Sequence, residues 1–418
     1  MLRVAARREL TVTTGVDFDM SQVEALGQGL LGRLDAMRAV DPIYWSDVQR
    51  AWLITGNEEI IEGLRGNLPL SSGRFNKILS YIPESERWRI PTVSRIFPYF
   101  LVNIDPPEHT RVRKLLMQAF SRKIAELYRP FVQETIEGVL TEAGRRGEVE
   151  FVEDIARQIP GRVIMRVLGL PTDLYPELRR WSRAISSALG GGVPTTAMLD
   201  EVEMTFREME TLFLREIRRK QAAPGDDFIS SIVTAADGQD RLSDDELLGT
   251  CFLTMSAGNN STTNTLTLGT VALIRDPQVR AQILARPETM DQALMELMRY
   301  IAMSTNVVRM AMADFEWRGH RVKRGDLVNI VIAAANRDPR VFPLPDQFDL
   351  GHSQTKNMTF APGLHACIGH FFARMQLNEF FPRLFRRFSN IELLEKDLRW
   401  SNALNFRGLK ALPVRLHQ

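Results

Sequence analysis

The sequence predicts a mainly α-helical fold with small β-sheets, an α+β protein whose longest helices lie in the middle of the chain. Two patterns support this prediction. Apolar residues recur at three- and four-residue spacing over long segments, and strand-like segments are few and short. The composition agrees, because 418 residues that are 44% hydrophobic and 25% charged can bury a large core.

The helical pattern is clearest in five segments and in the run that follows Gly369. These predicted helices are Arg122–Ala143, Leu174–Leu189, Met198–Arg219, Asp244–Arg275, Pro287–Tyr300 and His370–Phe388. The strand-like segments are Trp52–Thr55, Arg309–Ala313, Leu327–Ile332 and Ala411–Leu416. No internal repeat or low-complexity linker divides the chain.

The segment Asp244–Arg275 is the longest predicted helix. Ser243 and Glu246 form a capping box at its start, and the following Asp-Pro pair disfavours its continuation. At 1.5 Å per residue it spans on the order of 48 Å and must cross a whole domain. Its middle, residues 257–263, concentrates poor helix formers. This pattern predicts a local distortion at a functional site, and a slightly kinked core helix is the alternative.

Charge and cysteine content exclude several classes of protein. Lysine and arginine number 53 against 51 acidic residues, so no overall basic field indicates a nucleic-acid partner. Two cysteines cannot form a disulfide framework and favour a reducing, cytoplasmic location. No apolar stretch is long enough to span a membrane. We interpret residues 1–20 as an N-terminal arm.

The sharpest local signal is the segment Phe-Ala-Pro-Gly-Leu-His-Ala-Cys-Ile-Gly at residues 360–369. Cys367 lies where this loop enters a helix, and backbone N–H groups there favour a thiolate. A thiolate suits a metal ligand or a nucleophile paired with His365. A closed zinc site is disfavoured because it needs more Cys or His ligands nearby. The remaining interpretation is that Cys367 is a buried cysteine with no chemical role.

This segment resembles the cysteine-ligand loop of the cytochromes P450, whose pattern is Phe-Gly-x-Gly-x-His-x-Cys-x-Gly; Ala361 replaces the first glycine. Four further landmarks follow the family's order. They are Asp105–Arg113, the central Ala257-Gly-Asn-Asn-Ser-Thr262, Glu296-Leu-Met-Arg299 and the segment Asn336–Phe348. The resemblance implies a single P450 domain over residues 1–418, with the long central helix over a haem.

The resemblance also implies a set of haem contacts. Cys367 would be the axial thiolate ligand of the iron of haem b. His109, Arg113, Arg309 and His365 match the family's partners of the haem propionates. Gly363 and Gly369 would leave room for the porphyrin. The complete set of implied cofactor-binding residues is His109, Arg113, Ala257, Arg309, Phe360, His365, Cys367 and Gly369.

The central helix departs from the family at two positions implied to be catalytic. Ser261 stands where a threonine hydroxyl takes part in oxygen activation, and it keeps the hydroxyl. Asn260 stands where an acid helps to relay protons, but a carboxamide does not titrate near neutral pH. We therefore expect protons to arrive through ordered water or a substrate hydroxyl, with Asn260 orienting them.

Glu296 and Arg299 are implied to form a structural pair that supports the cysteine loop. The family's third member of this network is in doubt, because Gln347 and His352 occupy positions where arginine is usual. Arg337 is a candidate substitute.

The resemblance outlines a substrate cavity as well. Leu253, Ser256, Ala257, Thr305 and Val307 are implied to face it. The segment Phe75–Phe100, with aromatic residues Tyr81, Trp88, Phe97, Tyr99 and Phe100, would form one wall. The glycines at 190–192 would act as a hinge between two lid helices.

The implied function is that of a monomeric haem-thiolate monooxygenase, which inserts one oxygen atom of O₂ into a largely apolar small organic substrate. Electrons would come from a ferredoxin or flavodoxin with its NAD(P)H reductase, since the chain has no flavin or iron–sulfur motif. The basic residues that could receive such an acidic partner are Arg111, Lys114, Arg122, Lys123 and Arg374.

Four alternatives remain open at this point. The same fold could host a peroxide-driven oxygenase or a nitric-oxide reductase. A haem-binding sensor or carrier would need no catalysis, and a cysteine hydrolase using Cys367 would need no haem. Cys251 is expected to be inert packing in the central helix.

Overall fold

The computed structural model describes residues 15–20, 27, 29–73, 79, 82–189, 195–285, 287–352, 354–401 and 405–418. Three features predicted from the sequence lie wholly or partly outside these ranges. They are the glycines at 190–192, most of the N-terminal arm, and the part of the aromatic wall that contains Phe75 and Tyr81.

Helices dominate the described residues. In chain order they are α1 Gly29–Val40, α2 Asn57–Leu64, α3 Pro91–Ile96, α4 Glu108–Leu116, α5 Arg122–Leu127, α6 Arg129–Arg146, α7 Gln158–Leu168, α8 Tyr175–Leu189, α9 Thr196–Ala222, α10 Phe228–Thr234, α11 Asp244–Arg275, α12 Pro277–Ala285, α13 Met290–Ile301, α14 Ile332–Ala335 and α15 His370–Arg387. None of the helices in these ranges combines the length and apolar composition needed to cross a bilayer.

The strands are short and form small sheets. They are β1 Ile43–Ser46, β2 Ala51–Ile54, β3 Leu70–Ser71, β4 Glu148–Glu150, β5 Val307–Ala311, β6 Phe315–Trp317, β7 His320–Val322, β8 Leu327–Ile330, β9 Asn390–Leu393, β10 Arg399–Trp400, β11 Leu409–Ala411 and β12 Pro413–His417. The largest sheet has the order β1-β2-β8-β5-β3, with β2 and β8 parallel and its other pairs antiparallel. The mainly helical prediction with small sheets is therefore confirmed.

Most predicted elements are present with shifted ends. The bounds of α11 agree with the prediction, whereas the predicted helix Arg122–Ala143 is divided at Tyr128 into α5 and α6. The strand predicted at Leu327–Ile332 ends at Ile330, because Ile332 already begins the short helix α14. The C-terminal strand is two strands separated at Leu412.

Helix α11 runs through the largest buried apolar cluster and contacts α7, α8, α9, α13 and α15. Its capping box forms as predicted: the Ser243 N–H donates to Glu246 Oε2 at 2.8 Å, and the Glu246 N–H donates to Ser243 Oγ at 3.3 Å. Two smaller apolar clusters lie around α1 and around the five-stranded sheet. The central helix is therefore the element against which the rest of the helical core packs.

The distortion expected in the middle of α11 does not interrupt the helix, which is continuous from Asp244 to Arg275. The hydroxyl groups in this region donate to carbonyl oxygens one turn earlier instead of competing for other backbone conformations. These bonds, each 2.9 Å, join Ser261 to Ala257, Thr263 to Asn259, Thr265 to Ser261 and Thr267 to Thr263.

Candidate active site

The cysteine loop is a tight turn held by backbone hydrogen bonds. The Cys367 N–H donates to the Phe360 carbonyl at 2.8 Å, and the Ala361 N–H donates to the Met358 carbonyl at 2.9 Å. Helix α15 begins three residues after Cys367, and His370 Nδ1 lies 2.9 Å from the Cys367 carbonyl oxygen. The predicted position of the cysteine, in a loop that enters a helix, is present in the structure.

Two residues of this loop have positive φ, at +50° for Ala361 and +85° for Gly363. A Cβ on Gly363 would lie 2.1 Å from the Leu64 carbonyl oxygen, so this position requires glycine because α2 packs against it. The expectation that Gly363 also makes room for a porphyrin stays a prediction. Gly369 has an ordinary negative φ, and its added Cβ would meet open space.

The two cysteines have different environments. Cys251 is fully buried in α11, and burial raises the pKa of its thiol, as expected for inert packing. Cys367 is exposed. Desolvation raises the pKa of the Cys367 thiol, while the Gly369 N–H and the charge of Arg113 act in the opposite direction. The backbone of the loop thus only partly provides the predicted thiolate stabilisation, and a bound metal cation would supply the remainder.

A group of basic side chains converges beside the cysteine loop. The rings of His109 on α4 and His365 in the loop have centroids 4.1 Å apart. His365 Nε2 lies 3.0 Å from Ser72 Oγ, and Arg113 Nη2 donates to the Ala366 carbonyl at 2.7 Å. Arg309 on β5 is buried, in agreement with the inward orientation predicted for it.

The electrostatics of this group favour the binding of an anion. Burial, together with the charges of Arg309, His109 and Arg113, lowers the pKa of His365 to about 3. Burial also lowers the pKa of His109, followed by the charge of Arg113. Neither ring nitrogen of the buried His109 has a hydrogen-bond partner within the described part of the chain.

Asp105 is the nearby carboxylate, and it is already bonded to other groups. It accepts hydrogen bonds from the Ser72 N–H at 2.8 Å and from the Ser71 hydroxyl. Asp105 is therefore engaged by these serine residues, and its charge raises the pKa of His109 by less than burial and Arg113 lower it.

One stripe of the central helix is open although the helix crosses the core. The positions around it are buried, but at three- and four-residue spacing the side chains stay partly or fully accessible. These open positions are Leu253, Thr254, Ala257, Gly258, Asn260, Ser261 and Asn264. An accessible stripe on a core helix indicates a cavity along that face.

The open stripe contains most of the predicted residues of the central helix. Leu253, Ala257, Asn260 and Ser261 lie on it, whereas Ser256 is buried on another face. Sequence reasoning missed Thr254 and Asn264, although helical spacing from Ala257 and Ser261 would have found both. Ser72 could not have been found in this way, because it lies 293 residues from His365 along the chain.

The two other residues predicted to face the substrate cavity, Thr305 and Val307, differ in burial. Thr305 is fully buried, its hydroxyl lacks a partner among the described residues, and its N–H donates to the Asn405 carbonyl at 2.9 Å. Val307 begins β5 and is half-buried.

The predicted aromatic wall does not form a continuous surface in its described part. Phe97 and Phe100 are buried in the core, and Phe100 stacks on Phe206 of α9 with the ring centroids 6.2 Å apart. Trp88 instead is 71% exposed. The segment therefore divides between core packing and the surface.

The Glu296–Arg299 pair forms as predicted, fully buried on α13 with Arg299 Nε 2.7 Å from Glu296 Oε2. The third member of the network is His352, whose Nδ1 lies 2.8 Å from Glu296 Oε1. Arg337, the suggested substitute, is engaged elsewhere: it pairs with Asp346 and donates to the Tyr300 carbonyl at 2.6 Å.

Ion pairs occupy three of the five basic residues predicted to receive an acidic partner. Arg111 pairs with Glu246, Lys114 with Asp237 and Arg374 with Asp291. Arg122 and Lys123 are exposed at the start of α5. The proposed patch is therefore less basic than the sequence suggests.

The residues at this site fit a haem. A cysteine on a backbone-held loop offers a single soft ligand, and the convergent basic group offers charged and N–H partners for two carboxylates. The unpartnered nitrogens of His109 and the open stripe of α11 are the observations that carry this fit. No group of three or more His, Cys, Asp or Glu in the described ranges suggests another metal site.

Comparisons with known proteins agree with this fit. The family model described as cytochrome P450 matches residues 194–403. Mycinamicin IV hydroxylase/epoxidase of Micromonospora griseorubida is 32% identical, over 93% of this chain and 96% of its own. Polyketide biosynthesis cytochrome P450 PksS of Bacillus subtilis is 30% identical, over 93% and 95%.

Solved structures show the same likeness. Epothilone B-bound cytochrome P450epoK superposes with a TM-score of 0.87 at 27% identity, covering 96% of this chain and all of the other. The loop, the basic group and the full-length similarity lead to one assignment: this chain belongs to the cytochrome P450 family.

Proposed function

We propose that this P450 monooxygenase hydroxylates or epoxidises a largely apolar small organic substrate bound along the open stripe of α11, with haem b held by Cys367. The main support for the proposal is the open stripe, an accessible face of a helix that otherwise lies in the core. Ala257 and Ser261 lie on this face. When bound, haem supplies the activation of O₂ for insertion of one oxygen atom.

The basic group beside the loop would bind the two propionates. Arg113 and Arg309 supply charge, while His109 and His365 supply N–H donors within a buried setting. Since burial of a carboxylate without partners costs several kcal/mol, this pairing orients the cofactor as well as retaining it.

Ser261 and Asn260 are proposed to hold the water molecule or substrate hydroxyl that supplies protons at the cavity. The Ser261 hydroxyl donates to the Ala257 carbonyl at 2.9 Å, which leaves its oxygen lone pairs available to a water molecule or a substrate hydroxyl. Asn260 can orient that donor through its carboxamide but cannot itself release a proton near neutral pH.

The substrate class draws on what the relatives are said to act on. Their names include a mycinamicin IV hydroxylase/epoxidase and a 6-deoxyerythronolide B hydroxylase, and one related structure contains an acyl carrier protein ligated to a fatty acid. Polar residues Thr254, Asn260, Ser261 and Asn264 on the stripe favour a substrate that carries some oxygen functions among its apolar groups.

Electrons are proposed to come from a separate ferredoxin or flavodoxin with its NAD(P)H reductase, in the cytoplasm. The exposed Arg122 and Lys123 support an acidic partner. Measuring NAD(P)H oxidation with ferredoxin and flavodoxin pairs, across ionic strengths, tests this proposal. Turnover with peroxide alone at the same rate would contradict it.

The carbon monoxide spectrum of the reduced protein tests whether the Cys367 thiolate is the axial ligand of the haem iron. The wild type is expected to give the red-shifted Soret band of a thiolate-bound haem. Cys367→His is expected to give a histidine-type spectrum, and Cys251→Ser, the matched control, is expected to keep the thiolate band. A histidine-type spectrum in the wild type would contradict the assignment.

Ser261→Ala and Asn260→Asp test the proton supply. Ser261→Ala is expected to divert reducing equivalents to peroxide, which lowers the ratio of product formed to NAD(P)H consumed. Asn260→Asp is expected to change turnover and its solvent isotope effect. Thr263→Ala, a buried hydroxyl two residues further along on another face of the helix, is the control. An unchanged coupling ratio in Ser261→Ala would exclude its role.

A screen of small molecules by haem spectral shift would define the substrate class. Macrolactones, steroids, free fatty acids, fatty acids attached to an acyl carrier protein and unsubstituted hydrocarbons form the five arms. Saturable low-spin to high-spin shifts are expected from an oxygenated macrolactone. A shift from unsubstituted hydrocarbons alone would contradict the polar part of the proposal.

A further inference from the structure

Ser72 lies directly after β3 and contacts the histidine of the cysteine loop. Its hydroxyl oxygen is 3.0 Å from His365 Nε2. Ser72 is 2% exposed, so bulk water does not replace this contact. His365 is half-buried, and its other ring nitrogen, Nδ1, forms no hydrogen bond within the described ranges. The ring is therefore held from one side and open on the other.

The turn that contains Ser72 is fixed by one carboxylate. Asp105 Oδ1 accepts from the Ser72 N–H at 2.8 Å, and Oδ2 accepts from the Ser71 hydroxyl. The Ser71 oxygen also accepts from the Gly73 N–H at 2.8 Å. With the backbone of the turn held in this way, the hydroxyl of Ser72 is left to contact His365.

The turn also joins the three segments that carry the basic group beside the cysteine loop. β3 pairs with β5, the strand that contains Arg309. The Asp105 carbonyl accepts from the His109 N–H at 3.0 Å and so belongs to the start of α4. Ser72 connects the cysteine loop to both segments through His365.

We propose that Ser72 is a positioning residue for the haem, whose hydroxyl holds the His365 ring so that Nδ1 faces a propionate. This inference rests on the proposed function, because it requires haem in the site. It adds a residue that acts on the cofactor through His365 and that belongs neither to the cysteine loop nor to α4.

Packing alone does not fix which edge of the His365 ring faces the haem. The ring of His109 restrains its plane, with centroids 4.1 Å apart. The torsion about the Cβ–Cγ bond of histidine is broad and roughly two-fold, so a half turn is compatible with the same packing. That half turn would place carbon instead of nitrogen both at Ser72 and at the propionate. The hydrogen bond to Ser72 therefore selects one of the two orientations.

The hydrogen-bonding capacity of the serine fits this role. A propionate is a carboxylate that only accepts hydrogen bonds, so the ring nitrogen facing it must carry a hydrogen. A hydroxyl both donates and accepts, which satisfies Nε2 whether or not that nitrogen carries a hydrogen. Such partners orient the ligands of metal sites in the same way, by bonding the nitrogen that does not face the ligand's target.

Release of haem from the ferric protein to an excess of apomyoglobin measures how firmly the propionates are held. Ser72→Ala removes the hydroxyl, and loss of one hydrogen bond is expected to speed release about 3- to 10-fold. Ser72→Thr keeps the hydroxyl and should remain close to the wild type. Ser182→Ala, a similarly buried serine of α8, is the matched control and should leave the rate unchanged.

A double-mutant cycle with His365→Phe separates positioning from a general structural role. His365→Phe keeps a ring and removes both nitrogens, so Ser72→Ala should add little to the release rate in that background. If Ser72→Ala speeds release by the same factor with and without His365, the serine acts independently of the histidine and the proposal is overturned.

Resonance Raman spectra of the haem-loaded proteins report on the propionates directly. The propionate bending band is expected to shift in Ser72→Ala and to return to its wild-type position in Ser72→Thr, with no shift in Ser182→Ala. If Ser72→Ala does not fold, Ser72→Cys replaces it; a thiol is a weak donor, so its release rate should exceed that of the wild type.

The role of Ser72 and the proposed function fail through different results. A wild type without a thiolate-bound haem would contradict the proposed function. A wild type that binds haem through the thiolate, together with a Ser72→Ala variant that has the same release rate and the same propionate band, would overturn the role of Ser72 alone.

Discussion

Two ionic assemblies occupy different regions of the molecule. The buried network consists of Glu296, Arg299 and His352 behind the cysteine loop. The charged face consists of Asp200, Glu203, Arg207 and Glu210, which recur at three- and four-residue spacing along α9. Side chains of the buried network are 0 to 3% exposed, whereas Arg207 and Asp200 are more than half exposed.

The charged face contacts the segment that contains α3. Asp200 pairs with Arg89, and Arg95 pairs with both Glu210 and Asp245. Glu203 accepts from the N–H groups of Thr92 and Val93 at the start of α3, at 3.0 to 3.2 Å. Charges here join two elements through side chains in water, whereas the buried network binds backbone carbonyls away from water.

This difference in exposure predicts where removal of a charged side chain lowers the free energy of unfolding most. In the interior, removal of one partner leaves the other uncompensated at low dielectric, but at the surface water replaces the lost partner. The cysteine loop therefore depends on a few groups with large individual effects. The contact between α9 and α3 depends on several groups with small effects, and Glu203, with 6% exposure, is the exception.

The largest effect is expected from Glu296→Gln. The substitution leaves Arg299 buried without a carboxylate and removes the carboxylate partner of His352, at a cost of about 3–5 kcal/mol. We expect little folded protein and little retained haem, measured by thermal unfolding and by Soret absorbance per polypeptide. Glu392→Gln, which removes a surface partner of Arg415, is the control and should change the free energy of unfolding by less than about 1 kcal/mol. A stable, haem-loaded Glu296→Gln protein would contradict the comparison.

Gly363→Ala should come next. The new methyl group meets the Leu64 carbonyl oxygen at 2.1 Å, and alanine at a φ of +85° is strained. Together these effects should cost roughly 3 kcal/mol. Gly319→Ala, also at positive φ but with open space around it, isolates the backbone contribution and should cost about 1 kcal/mol. Equal losses in the two variants would show that α2 moves away freely.

The two regions also differ in how far the sequence predicts them. The bounds and capping box of α11, and the place of Cys367 before α15, follow from local patterns. The identity of His352 as the third member, and the engagement of Arg337 by Asp346, depend on contacts across the loop that no periodicity reveals. The single-domain organisation over 1–418 stays a prediction.

Contacts between residues far apart in the sequence also explain why some sequence-based predictions were wrong. Arg111, Lys114 and Arg374 look like a free basic patch in the sequence because their acidic partners lie 83 to 135 residues away. Ser72 and His365 meet across 293 residues. The positive φ of Ala361 is invisible in the sequence itself, although the family's glycine at that position indicates it. Local sequence patterns therefore predict the helices and strands, whereas the contacts between distant side chains depend on how these elements pack.

Glu203→Gln tests the exception on the charged face. The amide offers one acceptor where the carboxylate offered two and brings a donor towards the N–H groups of Thr92 and Val93, so a loss of about 2 kcal/mol is expected. Hydrogen exchange at those two amides should accelerate, because the carboxylate is their partner.

Glu208→Gln is the matched control for this change. Glu208 lies on the same helix but bonds Arg180 and Trp181 of α8, so exchange in α3 should not change. Unchanged protection of Thr92 and Val93 in Glu203→Gln would show that Glu203 is replaceable like its exposed neighbours, and would remove the exception from the comparison.

The smallest expected effect is an increase in the free energy of unfolding, from a substitution at Ala361 in the cysteine loop. Ala361 holds a φ of +50° where the family has glycine, so Ala361→Gly relieves backbone strain in the folded state. The added freedom of glycine in the unfolded chain offsets part of this relief, and a net stabilisation of about 1 kcal/mol or less is expected. Thermal unfolding measures it, with Ala366→Gly, at ordinary negative φ in the same loop, expected to lose stability. If Ala361→Gly also loses stability, the methyl group must contribute packing against the sheet that exceeds its strain, and the loop would then be held by apolar contacts as well as by the buried charges behind it.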